Sequence, residues 1–518
     1  MKNPTKKWLI RSLNYAAVLT TAVILSACST IAFDQPKTAT SVITDTQDTH
    51  FGQVLTAWNA QHPGVNGFYP LNDGIGALGA RLRLIEGAER SIDAQYFLMK
   101  NDDAGELFSG TLLRAADRGV RVRFLLDDVF TSVDDDILGL LNRHPNIEIR
   151  LYNPISRRGI YYLNYAGDFK RANRRMHSKS ITADNTFTII GGRNIADEYF
   201  QLLDDAEFMD YDMLALGPIT AEVSNQFDDF WNSSRTIPME ALHNTFTEED
   251  LIKERAEIDE ELALGPDSTY REAMNSEHMR KLVDGSGTIY PAPATLLHDG
   301  PAKLENPIGL SHMTLISELG KLILESKKSV FIITPYFIPT QSGVEFWQKV
   351  LDKGMSVTIV TNSLASTNHV PVHSGYARYR KKMLKMGASM YEARANAVRP
   401  GSVSTDSSPK ALTLHTKLIL IDERYLFVGS LNLDPRSIEI NAEMGILVDS
   451  PVIAQQFLAA VNQGLPEMSY EVALDADDRL RWLGTIDGKE EIETKEPLTS
   501  WWRRFLAKVY RVLPESQL

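Results

Sequence analysis

Two short stretches carry matching chemistry. Arg175-Met-His-Ser-Lys-Ser-Ile-Thr-Ala-Asp184 and Thr413-Leu-His-Thr-Lys-Leu-Ile-Leu-Ile-Asp422 both read His-x-Lys-x4-Asp, and each is followed by a glycine and an asparagine at matched places. His177, Lys179, Asp184, Gly191 and Asn194 correspond to His415, Lys417, Asp422, Gly429 and Asn432, every pair 238 residues apart. One offset shared by five pairs describes a duplicated domain with a half-site in each copy. Brought together, the halves supply two imidazoles, two ammonium groups and two amides. That inventory suits a phosphodiester. One histidine attacks phosphorus, the other protonates the leaving alcohol, and Lys179, Lys417, Asn194 and Asn432 stabilise the equatorial oxygens. The second histidine then deprotonates the incoming alcohol or water. No carboxylate cluster with metal-ligand spacing accompanies the motifs, so neither a metal nor another cofactor is expected.

The elements that position these groups follow from periodicity. In an extended strand, residues two apart share a face, so His177 and Lys179 project together, as do His415 and Lys417. Each aspartate stands roughly 16 Å along the strand from its lysine, too far for direct catalysis. Asp184-Asn185 and Asp422-Glu423 instead fall where a two-residue hairpin turn belongs. Folding back there predicts His177 opposite Gly192 and His415 opposite Ser430, small neighbours that leave room for substrate. Imidazoles in this role need an orienting partner on the far nitrogen. Aligning the following strands by Pro218 and Pro451 pairs Asp210 with Glu443 as those acids, with Asp205 and Glu207 as rivals. His369 and His373 read as loop residues with a surface role, and Trp231 reads as core.

Around the motifs the chain alternates strand and helix. Ser91–Phe97 is a strand, the helix from Gly105 stops at Gly119, and Val120–Leu126 is the next strand. Ser329–Phe337, the helix Val344–Lys353 ending at Gly354, and Met355–Val360 repeat the sentence. This is α/β grammar, with a layered sheet and flanking helices in each half. Between the halves, Thr247-Glu-Glu-Asp250 opens a charged helical run that Gly265-Pro266 breaks, the look of a solvated insertion.

Length and composition set the outer limits. The 518 residues allow two or three domains, and 43% hydrophobic with 23% charged residues is ordinary globular composition. A net charge of −13 argues against a nonspecific nucleic-acid binder. The single cysteine, Cys28, excludes an intrachain disulfide. It follows a basic start and an apolar run, inside Leu25-Ser-Ala-Cys28, the layout of a secretory signal, with a short transmembrane anchor as the alternative. Near the other end, Trp502, Phe505, Val509 and Val512 share one helical side. Arg504, Lys508 and Arg511 gather on another. That pattern fits either a lipid interface or docking on the protein's own core.

The paired motifs, with Gly-Gly-x-Asn after the first and Gly-Ser-x-Asn after the second, resemble the phospholipase D superfamily over about residues 70–470. Gly191-Gly-Arg-Asn-Ile-Ala-Asp-Glu-Tyr-Phe200 and Leu433-Asp-Pro-Arg-Ser437 are similar to bacterial cardiolipin synthases of that type. The resemblance implies two tandem α/β/α sandwich lobes around one active site and a metal-free covalent phosphohistidine. By analogy with the family His177, in the first motif, is the nucleophile and His415 the general acid. It further implies a membrane-associated phosphatidyltransferase acting on phospholipids. The alternatives are a phospholipase D making phosphatidic acid, a nuclease, and a noncatalytic lipid-binding lipoprotein. The Cys28 stretch resembles a bacterial lipobox, and Ser29 in place of aspartate points to the outer membrane, with the lobes on the periplasmic side. Relatives often begin with two transmembrane helices; here only the lipoprotein-like signal stands. The expected organisation is a signal peptide at 1–27, a tether at 28–65, lobes at 66–240 and 301–470, a helical insertion at 241–300, and an extension at 471–518. Oligomeric state is not legible.

Overall fold

A computed structural model describes residues 31–157, 160–243, 245–247, 249–253, 255, 268–308, 314–397, 411–486 and 489–518. The signal segment with Cys28 and most of the charged run after Thr247 lie outside the described residues.

Apolar, β-branched runs supply the inner strands, and more polar runs such as Lys489–Glu493 supply edge strands. In the first half these are β1 (Asn66–Leu71), β2 (Ser91–Tyr96), β3 (Arg121–Asp127), β4 (Ile147–Tyr152), β5 (Ser180–Ala183), β6 (Phe187–Gly191), β7 (Ala206–Met209), β8 (Asp212–Leu216), β9 (Thr236–Pro238) and β10 (Tyr290–Ala292). The second half contributes β11 (Ala294–His298), β12 (Ser329–Ile333), β13 (Ser356–Asn362), β14 (Ser389–Ala393), β15 (Ala411–Leu414), β16 (Leu418–Ile421), β17 (Tyr425–Gly429), β18 (Met444–Asp449), β19 (Ser469–Leu474), β20 (Leu480–Ile486) and β21 (Lys489–Glu493). The longer helices are α1 (His50–Gln61), α2 (Gly74–Gly87), α3 (Asp103–Asp117), α4 (Pro218–Trp231), α5 (Thr314–Glu325), α6 (Thr340–Leu351), α7 (Val370–Lys385), α8 (Pro451–Met468) and α9 (Trp501–Val509).

Among the described residues one large sheet runs β10-β1-β8-β6-β5-β2-β3-β4-β9, a second runs β11-β18-β17-β16-β12-β13-β14-β19-β20-β21, and β15 and β7 form a two-stranded third. The unit β8-β6-β5-β2-β3-β4-β9 recurs as β18-β17-β16-β12-β13-β14-β19, which is the duplication made visible. At its centre β2, β3 and β4 are parallel, as are β12, β13 and β14. The helices that connect them end at Gly119 and Gly354, whose φ values of 94° and 79° only glycine adopts without strain.

Strand alternation decides which face meets which neighbour. In β16, Ile419 and Ile421 enter the second lobe's own core beside Phe427, whereas Leu418 and Leu420 turn the other way. There they join Leu426 and Val428 against Ile190, Met213 and Ala215 of the first sheet. The two sheets therefore share a third apolar core between them, flanked by Ile219 and Val223 of α4 and by Ile453 and Phe457 of α8. Leu78, Leu82 and Phe108 of α2 and α3 cover the opposite face of the first sheet. Each lobe is an α/β/α sandwich, as expected.

Three boundaries differ from the sequence reading. Residues 31–65 are not a tether. Arg150 Nη2 donates to Thr38 O (2.6 Å), Arg123 Nη1 to Thr40 O (3.0 Å) and Trp231 Nε1 to Thr40 Oγ1 (2.9 Å), so this polar chain satisfies donors buried beneath it; α1 follows. The stretch 241–300 is more than an inserted helix, because β10 pairs with β1 and β11 with β18, passing the chain from one sheet to the other. The extension after 470 continues the second sheet through β19, β20 and β21. Trp231 is fully buried. His373 is not at the surface but buried within α7, 3.8 Å from Glu496.

Candidate active site

β5 begins at Ser180 and β16 at Leu418, so the histidines and lysines lie in the short runs leading into those strands. The opposite lobe holds these runs. Met176 forms a parallel bridge with Ala442, and His177 N donates to Ala442 O at 2.8 Å. Reciprocally, β15 pairs in parallel with β7, and the N–H groups of His415 and Thr416 donate to Met209 O at 2.8 and 2.9 Å. The next residue after Ala442 is Glu443, and after Met209 it is Asp210. Main-chain pairing thus delivers an acid to each imidazole across the lobe boundary. His177 Nδ1 lies 2.8 Å from Glu443 Oε2, and His415 Nδ1 lies 2.6 Å from Asp210 Oδ2. Of the rival acids, Asp205 is exposed and Glu207 accepts from Gln201 Nε2 at 2.6 Å.

The hairpin turns fall where expected, with Asp184, Asn185, Asp422 and Glu423 at φ 49–56°. Each aspartate does more than turn the chain. The buried Asp184 carboxylate accepts the N–H groups of Glu89, Arg90 and Ser91 at 3.0, 2.7 and 2.9 Å, and Asp422 takes those of Lys327, Lys328 and Ser329. The register, however, is one residue off the expectation. Ser180 pairs with Ile190 and Leu418 with Val428, so His177 projects toward the level of Arg193 and His415 toward Leu431. The small residues also serve another purpose than space for substrate. A Cβ on Gly192 would lie 2.3 Å from Asp210 Oδ1, and Ser430 at the matched place donates Oγ to Glu443 Oε2 at 2.5 Å. They make room for, or hold, the acids behind the histidines.

Each lysine stands against the histidine of its own motif. Lys179 Nζ donates to His177 O at 2.5 Å and lies 4.9 Å from the Phe97 ring centroid. Lys417 Nζ is 2.8 and 3.0 Å from the ring nitrogens of His415. Asn194 Nδ2 donates to Tyr199 Oη at 2.9 Å, while Oδ1 of Asn194 and of Asn432 are buried without a partner among the described residues. A half-turn of the Asn194 amide would present its NH2 inward and let the Tyr199 hydroxyl donate to Oδ1. Phe97 meets His177 edge-on, and Phe208 stacks on His415.

Burial dominates the electrostatics. It lowers His177 to about 4 against the pull of Glu443, and it lowers His415 to about 3 with help from Lys417 and against Asp210. Burial also brings Lys417 down to about 8 and Lys179 well below an ordinary lysine. For the Asp210 and Glu443 carboxyls burial works upward, but the lysines and histidines outweigh it and hold both below the ordinary range. Lys417 acts on His177 and Lys179 on His415, so both half-sites sit in one electrostatic environment. Both rings are therefore neutral at pH 7, and with Nδ1 facing a carboxylate the unprotonated nitrogen is Nε2.

Two positioning residues escaped the sequence reading. Asp127, at the end of β3, accepts Arg175 Nη1 and Met176 N, both at 3.0 Å. Asn362, at the end of β13, exchanges hydrogen bonds with both the N–H and the C=O of Leu414 (2.9 and 2.8 Å). Each fixes the residue just before a histidine. Their signal was available: both end the second parallel strand of their lobe. Among the described residues no group of three or more His, Cys, Asp or Glu could hold a metal ion.

A family model described as "Cardiolipin synthase, PLD-like domain" matches residues 82–231 and 319–464, one copy per lobe. The chain belongs to this phospholipase D-like cardiolipin synthase family. It is therefore an enzyme of phospholipase D type. Cardiolipin synthase C of Escherichia coli (strain K12) is 38% identical over 470 residues, covering 89% of this chain and 97% of that protein. Cardiolipin synthase 1 of Bacillus cereus is 25% identical, covering 74% of this chain and 63% of the relative. The crystal structure of phosphatidylserine synthase from Haemophilus influenzae Rd KW20 shares the fold at a TM-score of 0.55 and 16% identity, covering 89% of this chain and 98% of that one.

Proposed function

We propose that this chain is a membrane-bound phosphatidyltransferase that makes cardiolipin or a close relative through a phosphohistidine. The observation that carries the reading is the reciprocal pairing of each imidazole with a buried carboxylate from the opposite lobe. In the first step His177 Nε2 bonds to phosphorus as the bond to the leaving alcohol oxygen breaks, and His415 gives that oxygen a proton. In the second step His415 takes the proton from the hydroxyl of an acceptor phospholipid, whose oxygen displaces the phosphorus–nitrogen bond. This order of roles follows the family analogy, in which the histidine of the first motif is the nucleophile. The negative charge of a bound diester, arriving among these groups, favours the proton that His415 must carry. Lys179, Lys417, Asn194 and Asn432 would hold the equatorial oxygens.

Similarity to Cardiolipin synthase C along nearly all of that protein supports cardiolipin as the product. The lipobox-like Leu25-Ser-Ala-Cys28 supports acylation of Cys28 and residence on the periplasmic side, at the outer membrane. No described helix is long and apolar enough to cross a membrane. The test is to incubate the purified protein with labelled phosphatidylglycerol and phosphatidylethanolamine and to separate the lipids. Cardiolipin, absent with His177→Ala or His415→Ala, is the expected outcome. Phosphatidic acid alone would replace transfer by hydrolysis, and cleaved DNA without a lipid product would overturn the lipid reading.

A further inference from the structure

The chain as a whole is acidic, yet the end of it presents a different face. α9 buries none of its residues: Trp501 is 68% exposed, Trp502 51% and Phe505 46%, and Val512 just beyond is 84% exposed. A helix docked through its apolar stripe would hide these side chains. This one is held through a cation instead. Arg503 donates Nε to Leu364 O and Nη2 to Thr367 O, both at 2.7 Å, and the aromatic rings keep about half or more of their surface in solvent.

Charge accompanies the aromatics. Along α9 lies an open cavity of about 730 Å³ lined by Trp501 and Phe505 together with Lys495, Arg504, Lys508 and Arg511. Glu496, the one carboxylate lining it, is already engaged by Arg380 at 2.7 Å. Lys495, Lys508 and Arg511 have no carboxylate partner among the described residues. The acidic strand β21 directs Glu490 and Glu491 to a separate cleft shared with Tyr391 and Glu471. Arg479 and Arg481, also on the walls of the cavity along α9, pair with Asp475, which leaves Lys495, Lys508 and Arg511 as uncompensated cations there.

The helix also stands on the active-site side. Leu364 and Thr367 follow the carboxyl end of β13, where Asn362 grips the residue before His415. Beyond α9 the tail reaches the first lobe: Asn173 Nδ2 donates to Gln517 Oε1 at 3.0 Å, and Arg436 Nη1 to Asn173 Oδ1 at 2.6 Å. Asn173 closes the segment after β4 that leads into His177, and this segment exposes Tyr162 and Phe169. Aromatic side chains therefore stand on both lobes around the carboxyl ends of the parallel strands.

We propose that α9 is a membrane-docking element that seats the active-site side on an anionic bilayer. Trp501, Trp502 and Phe505 enter the interface, while Lys508, Arg511 and the cavity behind them take lipid phosphates. This deepens the phospholipid-enzyme reading by naming the surface the enzyme works on, and its test has a readout independent of turnover. Hydrogen exchange of the full chain is followed on phosphatidylcholine vesicles with and without phosphatidylglycerol. Amides 501–512 should slow on the anionic vesicles, and Lys508→Glu/Arg511→Glu should abolish that slowing. Each cation near such a surface contributes about fivefold in partitioning. The double variant should therefore lose at least about tenfold in activity on vesicles, while keeping its activity on the same lipid dispersed in detergent micelles. Unchanged exchange at 501–512 would overturn the proposal, as would equal slowing on uncharged vesicles. Loss of micelle activity in the double variant would also overturn it, by placing the helix in the machinery of the lobe. Slowing at 501–512 with no lipid turnover in any assay would leave docking established and sink the proposed reaction alone.

Discussion

Glu443 and Asp210 each sit behind a histidine that belongs to the other lobe, and each has its position fixed twice. Glu443 Oε2 takes the His177 N–H and the Ser430 hydroxyl; Asp210 takes the His415 N–H with one oxygen and the Tyr211 N–H with the other. Such a carboxylate sets the tautomer and stabilises the imidazolium that forms during proton transfer. Glu443→Gln keeps the shape but removes the charge, so kcat should fall about 10²- to 10⁴-fold with little change in KM. Ser430→Ala removes one hydrogen bond onto the carboxylate and should cost only about tenfold. Steady-state kinetics on the two variants checks this. A Glu443→Gln enzyme within a fewfold of the parent would mean that the acid is a bystander. The residue types of the candidate site were legible from one repeated pattern, and the contacts of Asp210 and Glu443 with the histidines were reachable by aligning the two halves. The exchange was not. Which acid serves which histidine depends on Met176 meeting Ala442 and Met209 meeting His415, and a linear repeat carries no record of contacts across its own symmetry axis.

At the scale of elements, the β5–β6 and β16–β17 hairpins each tie a histidine-bearing run to the start of a parallel strand. Asp184 is fully buried and accepts three backbone N–H groups at the start of β2. Asp184→Ala leaves those donors short of a partner, and by the usual cost of buried unsatisfied groups it should destabilise by about 2–4 kcal/mol. Asp422→Ala should cost less, because the Lys327 and Lys328 donors it serves are exposed and water can replace it. Denaturant midpoints of the two variants decide the matter, and an equal loss would show that burial of the donors is not what counts. The turn itself was readable, since Asp-Asn and Asp-Glu at matched places are hairpin signals. The register was not, because Thr186 and Arg424 add a residue that the turn chemistry does not announce. Composition misled at the strap over residues 31–49. Its Thr, Ser and Asp content reads as a linker, yet the buried Arg123 and Arg150 need the acceptors it carries.

At the scale of the molecule, one apolar core decides whether there is an active site at all. Ile189 and Ile190 are neighbours on β6 and point to opposite faces. Ile189 belongs to the core of the first lobe, Ile190 to the core shared by both sheets with Leu418, Val428 and Met444. Both are essentially fully buried, so truncation of either to alanine should cost about 2–4 kcal/mol. Their effects on turnover should part company. Met444 follows Glu443 directly, and loosening its packing against the first sheet shifts the Glu443 carboxylate relative to His177. A misplacement near 1 Å can cost about 10²-fold in rate. Ile190→Ala should therefore lower kcat about 10- to 100-fold under conditions where the protein remains folded, whereas Ile189→Ala should stay near parental. Thermal unfolding and kcat, measured together on both variants, separate stability from lobe alignment. If the two alanine variants lose activity to the same extent, the shared core is simply ballast, and the reciprocal acid pairing must be held by its main-chain bridges alone.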